Sequence, residues 1–227
     1  MYTPALHAEW LKIRTLRSQV VTLALIPLVT VAFSALAGLD AGADDPLFTT
    51  FFGVTFGQIA AVAFGTNAMS AEFRDGALRT SLAAVPDRTR WFAAKATAIA
   101  LPVLSAGLLT GALALLTGDG LGWAQSLRGA VGCGIYLTLM ALLAAGLTAV
   151  LRSGVATLGI VVPFLLIVSF VVGDVSGTAA DWFPDRAGQA VLHSDPAVSP
   201  WLGLLVTALW SAAALGAGVW RVRRRDA

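Results

Sequence analysis

The sequence predicts an all-α polytopic membrane protein of six transmembrane helices, on three observations. Six apolar segments recur along the chain: Val20 to Leu39, Phe48 to Met69, Trp91 to Thr117, Gly129 to Leu151, Val155 to Gly173 and Trp201 to Trp220. A helix needs roughly 20 mostly apolar residues to cross roughly 30 Å of hydrocarbon, and all six reach that length, the fifth narrowly. Thirteen of the fifteen Lys and Arg residues fall on one side of the alternating connectors. The composition agrees, at 57% hydrophobic, 12% charged and a mean hydropathy of +0.80, which is too apolar for an ordinary soluble domain and too poor in charge for a disordered chain.

The charge bias sets the orientation, because short loops rich in Lys and Arg stay in the cytoplasm. One side carries Lys12, Arg14, Arg17, Arg74, Arg79, Arg88, Arg90, Lys95, Arg152, Arg221, Arg223, Arg224 and Arg225. The other has Arg128 and Arg186, and most of the acids: Asp40, Asp44, Asp45, Asp119, Asp174, Asp181, Asp185 and Asp195. Both termini are expected in the cytoplasm and the whole of 1–227 forms one membrane domain, expected in a bacterial cytoplasmic membrane. The sequence pI of about 9.1 would suggest nucleic acid in a soluble protein. Here the cations cluster at helix ends, where anionic lipid head groups lie, so membrane lipids are the expected partner and nucleic acid is not.

Taken in chain order, Thr3-Pro4 supplies a capping residue and a first-turn proline. Leu6, Trp10, Ile13 and Arg17 follow at helical spacing, with Glu9, Lys12 and Arg14 turned elsewhere. This describes an amphipathic interfacial helix with Trp10 at head-group depth, or else an extension of the first span. Ala35-Leu36-Ala37 resembles a signal-peptide cleavage site, but the apolar run is longer than a signal core, so the segment is retained as a span.

The second span repeats small residues every fourth position, at Gly53, Gly57, Ala61 and Gly65, which lets another backbone approach closely. Gly107 with Gly111, and Ala212 with Gly216, repeat the device. These faces join spans within one chain or join two chains. Pro27, Pro102 and Pro163 fall inside the first, third and fifth spans, where each frees a carbonyl and permits a kink.

The cytoplasmic stretch from Ser70 to Trp91 is the longest on its side. Phe73, Ala77, Leu78, Leu82 and Val85 make an apolar stripe, and Glu72, Asp75 and Arg79 lie on another face, with Asp75 and Arg79 spaced for an i,i+4 ion pair. Pro86 ends this surface helix and Asp87 caps the third span. On the opposite side the connector 174–200 is long enough for one short helix, about Arg186 to Leu192, resting on the outer membrane face, with Trp182 and Trp201 in the aromatic belt.

Catalytic chemistry is not legible in this pattern. With Lys95 counted among the connector charges, the span interiors hold no ionisable group, which argues against a proton- or sodium-driven carrier. Gln58 and Asn67 are the amides well inside. His7 and His193 lie on opposite sides and do not cooperate, His193 beside Asp195 reading as a hydrated loop pair. Cys133 is the single cysteine and reads as packing, so neither a disulfide nor a Cys-rich metal site is expected. Neither lysine sits in a glycine-framed phosphate loop, so ATP hydrolysis would fall to another subunit.

The layout of six spans, the N-terminal helix with Glu9-Trp10-Leu11-Lys12, and the run Ser70-x-Glu72, Gly76, Leu82, Pro86-x-Arg88, Trp91 and Lys95 resemble a bacterial permease of the type-two ATP-binding-cassette exporters. Ala77 stands where members of that family often have Thr after the glycine. The resemblance implies that 70–90 is a coupling helix docking on a separate ATP-binding subunit, which holds the ATP and Mg, while two permease chains line one export pathway. Glu72, Arg74, Asp75, Arg79 and Arg88 are then the candidate coupling contacts, Arg88 and Arg90 being alternatively lipid-binding. No catalytic, cofactor-binding or metal-ligating residue is expected in this chain. A membrane assembly or anchoring module and a stand-alone facilitator remain the alternatives.

Overall fold

The computed structural model describes residues 2–39, 45–74, 76–85, 87–118, 120–169, 171 and 177–225, and all regular structure among them is helical. Helix α1 spans Tyr2–Thr15, and the chain breaks at Leu16, whose extended backbone (ψ 113°) starts α2, Arg17–Ala37, in a new direction. Asp45 opens α3, Pro46–Phe51, by accepting from the Leu47 and Phe48 amides, with Pro46 at the first helical position where its missing N–H costs nothing. A turn at Phe52 and Gly53 leads into α4, Val54–Ser70, so the second apolar segment is two helices and not one. After a 3₁₀ turn at Ala71–Phe73, Arg74 is extended and Gly76 takes a left-handed φ of 75°, which breaks the expected stripe before α5, Ala77–Ala84.

Asp87 caps α6, Arg88–Ala114, through bonds from the Thr89 and Arg90 amides, as the sequence anticipates. Helix α7, Trp123–Leu151, ends on Arg152, the one described non-glycine residue with a positive φ. Ser153 then caps α8, Gly154–Pro163, which passes directly into a π-helical turn at Phe164–Val168. Beyond a 3₁₀ stretch at Gly177–Trp182 come α9, Pro184–Gln189, a 3₁₀ turn at Ala190–Leu192, and α10, Pro200–Arg225.

Among the described residues five helical stretches are long and apolar enough to cross a membrane: Arg17–Ala37, Pro46–Phe73, Arg88–Ala114, Trp123–Leu151 and Pro200–Arg224. The fifth predicted span is the exception. Its described part is a shorter apolar helix, Gly154–Val168, and Gly173 lies outside the described residues. It nevertheless runs from beside Ser70, 3.0 Å from the point where a Gly154 Cβ would stand, to Ser169, whose carbonyl accepts from Arg186 at 3.0 Å.

Helix α7 forms the axis, packing on α4, α6 and α10. Small residues permit this, and the every-fourth-residue stripe of α4 serves contacts within the chain. A Cβ at Gly53 or Gly57 would overlap Thr30 of α2, and one at Gly65 would overlap the Ala141 carbonyl of α7. Ala61 between them is fully buried. Gly107 of α6 would place a Cβ 2.8 Å from Gly134 Cα. The pair Ala212 and Gly216 does not join spans within this chain: both face outward, with open space around Gly216. Leu28, Leu36, Leu101, Leu109, Ile160, Leu205 and Leu209 cover the exposed flanks, an apolar exterior suited to hydrocarbon.

Candidate functional site

Four charged side chains meet at the end of the bundle that carries α1 and the C-terminal turn of α10. Lys95, two turns into α6, is only 4% exposed and places Nζ 2.5 Å from Glu9 Oε2 and 2.7 Å from Glu72 Oε1. Lys12 approaches the same carboxylates, 2.7 Å from Glu9 Oε1 and 2.9 Å from Glu72 Oε1. The remaining Glu72 oxygen accepts from the Ser81 hydroxyl at 2.9 Å. Two anions, two cations and a hydroxyl thus join α1, the 3₁₀ turn, α5 and α6. Burial alone would lower the Lys12 pKa, but its hydrogen bonds to Glu9 and Glu72 raise it above the ordinary lysine value.

Local helix geometry explains the convergence. Glu9 and Ile13 stand four residues apart and share the inward face of α1, both nearly buried. Leu6 is half-buried beside them, Arg17 belongs to the next helix, and Trp10 points away, 39% exposed. Glu9, read from the sequence as turned off the apolar stripe, is therefore an inward group. Trp91 and Leu78 are buried close to the cluster in sequence, and Phe73, Leu82 and Val85 pack on the core.

The expected coupling contacts divide. Glu72 is 2% exposed and committed to Lys12, Lys95 and Ser81, so it is an internal anchor and not a surface charge. Arg74 and Arg79 are exposed. Asp75, and with it the expected pair to Arg79, lies outside the described residues, as does Pro86. Arg88 turns to α10, its Nη1 donating to the Val222 carbonyl at 2.9 Å and the Arg223 carbonyl at 3.2 Å. A cation on those last carbonyls is favoured by the helix dipole, an interaction invisible from the N-terminal side of α6.

At the far end, residues 180–192 of the connector do not rest on an outer membrane face as expected but are built into the bundle. Pro184, Asp185, Ala187, Gly188, Val191 and Leu192 are buried. Glycines make the room: Gly203 faces the Ala187 carbonyl, Gly132 would bring a Cβ within 2.5 Å of Val191 Cγ2, and Gly188 lies against the Tyr136 ring. His193 pairs with Asp45, Nδ1 to Oδ2 3.2 Å, and not with neighbouring Asp195. Its ring stacks on Phe48 at 4.2 Å and its carbonyl accepts from Arg128 at 2.7 Å. Asp45 also accepts from the Ser194 hydroxyl and amide at 2.6 and 3.0 Å. Partial burial pushes the Asp45 carboxyl up, but those bonds and the Phe48 amide hold it below the ordinary aspartate value.

Beneath this clasp lies a cavity of about 520 Å³, lined by Phe48, Phe52, Gln58, Ser169, Asp185 and Gln189 among others. Behind its wall the fully buried Tyr136 donates to Gln58 Oε1 and accepts from Gln189 Nε2 at 3.2 Å. Asp185 is 4% exposed, and burial pushes its carboxyl above the ordinary range, against the opposing effects of Ser169, nearby backbone amides and Arg186. Neither its Oδ1 nor Ser169 Oγ has a partner at full hydrogen-bonding geometry, although the Ser169 hydroxyl stands near enough to favour the charged carboxyl. Of these residues the sequence singled out Gln58 as an amide well inside and Asp185 only as one of the acids of its side; Tyr136 and Gln189 carry no spacing signal, since tertiary packing alone brings them together. No group of three His, Cys, Asp or Glu residues able to hold a metal occurs among the described residues. Neither comparison with protein-family models nor comparison with curated proteins finds a match for this chain.

Proposed function

We propose that this chain is the membrane-spanning subunit of an ATP-driven exporter, with the basic end in the cytoplasm, six crossings, a second permease chain beside it, and a separate ATP-binding-cassette subunit docked on the 71–84 segment. The observation that carries the reading is the Glu9–Lys12–Glu72–Lys95 cluster, in which Glu9, Glu72 and Lys95 are buried and Lys12 is half-exposed. It binds the surface segment at once to the N-terminal helix and to a long apolar helix, so a push on the segment reaches the bundle with little lost to local flexing. Arg74 and Arg79 present positive charge from that segment to a partner of complementary charge. Arg88 extends the same rigid unit to the end of α10.

In this scheme ATP binding draws two cytoplasmic subunits together, and the anchored segments tilt α4, α6 and α10 to open the far end. Glu72 and Lys95 act as the fixed joint, while Arg79 and Arg74 are the contacts. The test is co-purification of an ATP-hydrolysing subunit from the native host, followed by Arg79→Glu, which is expected to leave ATP hydrolysis running while export falls at least tenfold. Full transport by this chain in vesicles lacking any ATPase overturns the reading.

A further inference from the structure

We infer that the far-end cavity binds a small organic ammonium ion with an apolar body. The site rests on the chain's own residues and stands whether or not an ATPase acts on the other end.

The anchoring observation is Asp185. A carboxylate oxygen buried without a partner is costly, because nothing replaces the water it has lost. Asp185 Oδ1 is in that condition while the residue lines a cavity of about 520 Å³. Arg186 acts on the carboxyl through charge but makes no hydrogen bond to it, its Nε being directed to the Ser169 carbonyl, 3.0 Å away. A ligand that donates an N–H and carries positive charge satisfies the oxygen and balances the charge together. Ser169, whose buried Oγ is likewise short of a full hydrogen bond, lines the same cavity beside it.

The rest of the lining selects the kind of cation. A metal ion needs several converging oxygen or nitrogen ligands, and no such trio occurs among the described residues. Phe48 and Phe52, set edge to face with centroids 5.8 Å apart, and Leu165 give apolar walls, and aromatic faces attract an ammonium through their quadrupoles. The π-helical turn at Phe164–Val168 widens α8 where Leu165 and Ser169 meet the cavity. Gln58 and Gln189 at the wall are already held by Tyr136, so the charged acceptors are Asp181, Asp185 and Asp195, which outnumber the one guanidinium among the lining residues, Arg186; of the three, Asp185 is the buried one with an unpartnered oxygen.

The experiment is calorimetry on the full chain in lipid nanodiscs, blanked against empty discs, with 2-phenylethylammonium, the neutral 2-phenylethanol and the anion phenylacetate. The expected result is ammonium binding at least tenfold tighter than the alcohol and no binding of the acid. Asp185→Asn is expected to erase the ammonium-over-alcohol preference while leaving the helical circular-dichroism signal unchanged. Equal binding of ammonium and alcohol by the wild-type chain, or no binding of either, overturns the proposal without recourse to any variant. Retention of the preference in Asp185→Asn overturns it as well.

Discussion

At the scale of single residues, the decisive group is Lys95. Its ammonium is balanced by Glu9 and Glu72 and each of the three is at least 95% buried. Removing one partner from a buried ion cluster leaves an uncompensated charge, worth about 3–5 kcal/mol. Lys95→Met is therefore expected to lower thermal stability by that order in detergent, read as a shift of the unfolding midpoint, whereas exposed Arg79→Ala changes it by about 0.5 kcal/mol or less. Asp45 gives a pH prediction. Its pKa is lowered in the folded chain, so the clasp to Ser194 is fully present above the ordinary aspartate pKa of 3.8 and is lost as the pH falls through the lower folded value. A spin label attached at pH 7 to Ser199→Cys, just beyond the clasp, is expected to keep its mobility from pH 7 to 5 and to gain mobility only below pH 3.8. A gain in mobility already at pH 5 contradicts this assignment.

At the scale of elements, close approach decides which glycines tolerate change. Gly65 faces the Ala141 carbonyl, a backbone atom that cannot swing aside, whereas Gly216 faces open space. Gly65→Ala forces α4 from α7 and is expected to cost about 1–3 kcal/mol. Gly216→Ala keeps the fold and gains about 0.5–1 kcal/mol through helix propensity. Thermal unfolding of the two variants side by side checks the assignment, and equal midpoints would refute it. The breaks between elements follow the same logic of local need. Gly76 sits at a φ of 75°, which any Cβ would strain, and that break lets α5 fold back so that Ser81 reaches Glu72. Sequence periodicity joined these residues in one stripe because Phe73 and Leu78 are both core-directed; only their separate helices explain how.

For the whole molecule, charge sidedness and helix ends agree on one arrangement. The basic end collects α1, the 71–84 segment and the close of α10, through Lys95 and through Arg88. The exporter reading expects that end inside the cell. Cys133 is buried, so the wild-type chain provides a silent background for membrane-impermeant thiol reagents. Thr80→Cys is expected to label only in inside-out vesicles and Ser199→Cys in intact cells. Labelling of position 80 from intact cells would reverse the orientation and with it the proposed docking of a cytoplasmic motor.

Composition and periodicity by themselves determined the helical class, the long apolar segments, the Asp87 cap and the basic character of one end, because each depends on residues close together in the chain. Even the α4 stripe of small residues announced close packing, though not that α2 and α7 would be the partners. Tertiary structure alone decided that Glu72 turns inward, that Glu9 meets Lys95 across 86 residues, that His193 chooses Asp45 over its neighbour, and that the far connector is buried with Asp185 left unsatisfied. The reason is electrostatic and steric. A charge goes wherever a distant opposite charge and a space made by glycine allow it to lose water, and neither condition is written within a single helical turn.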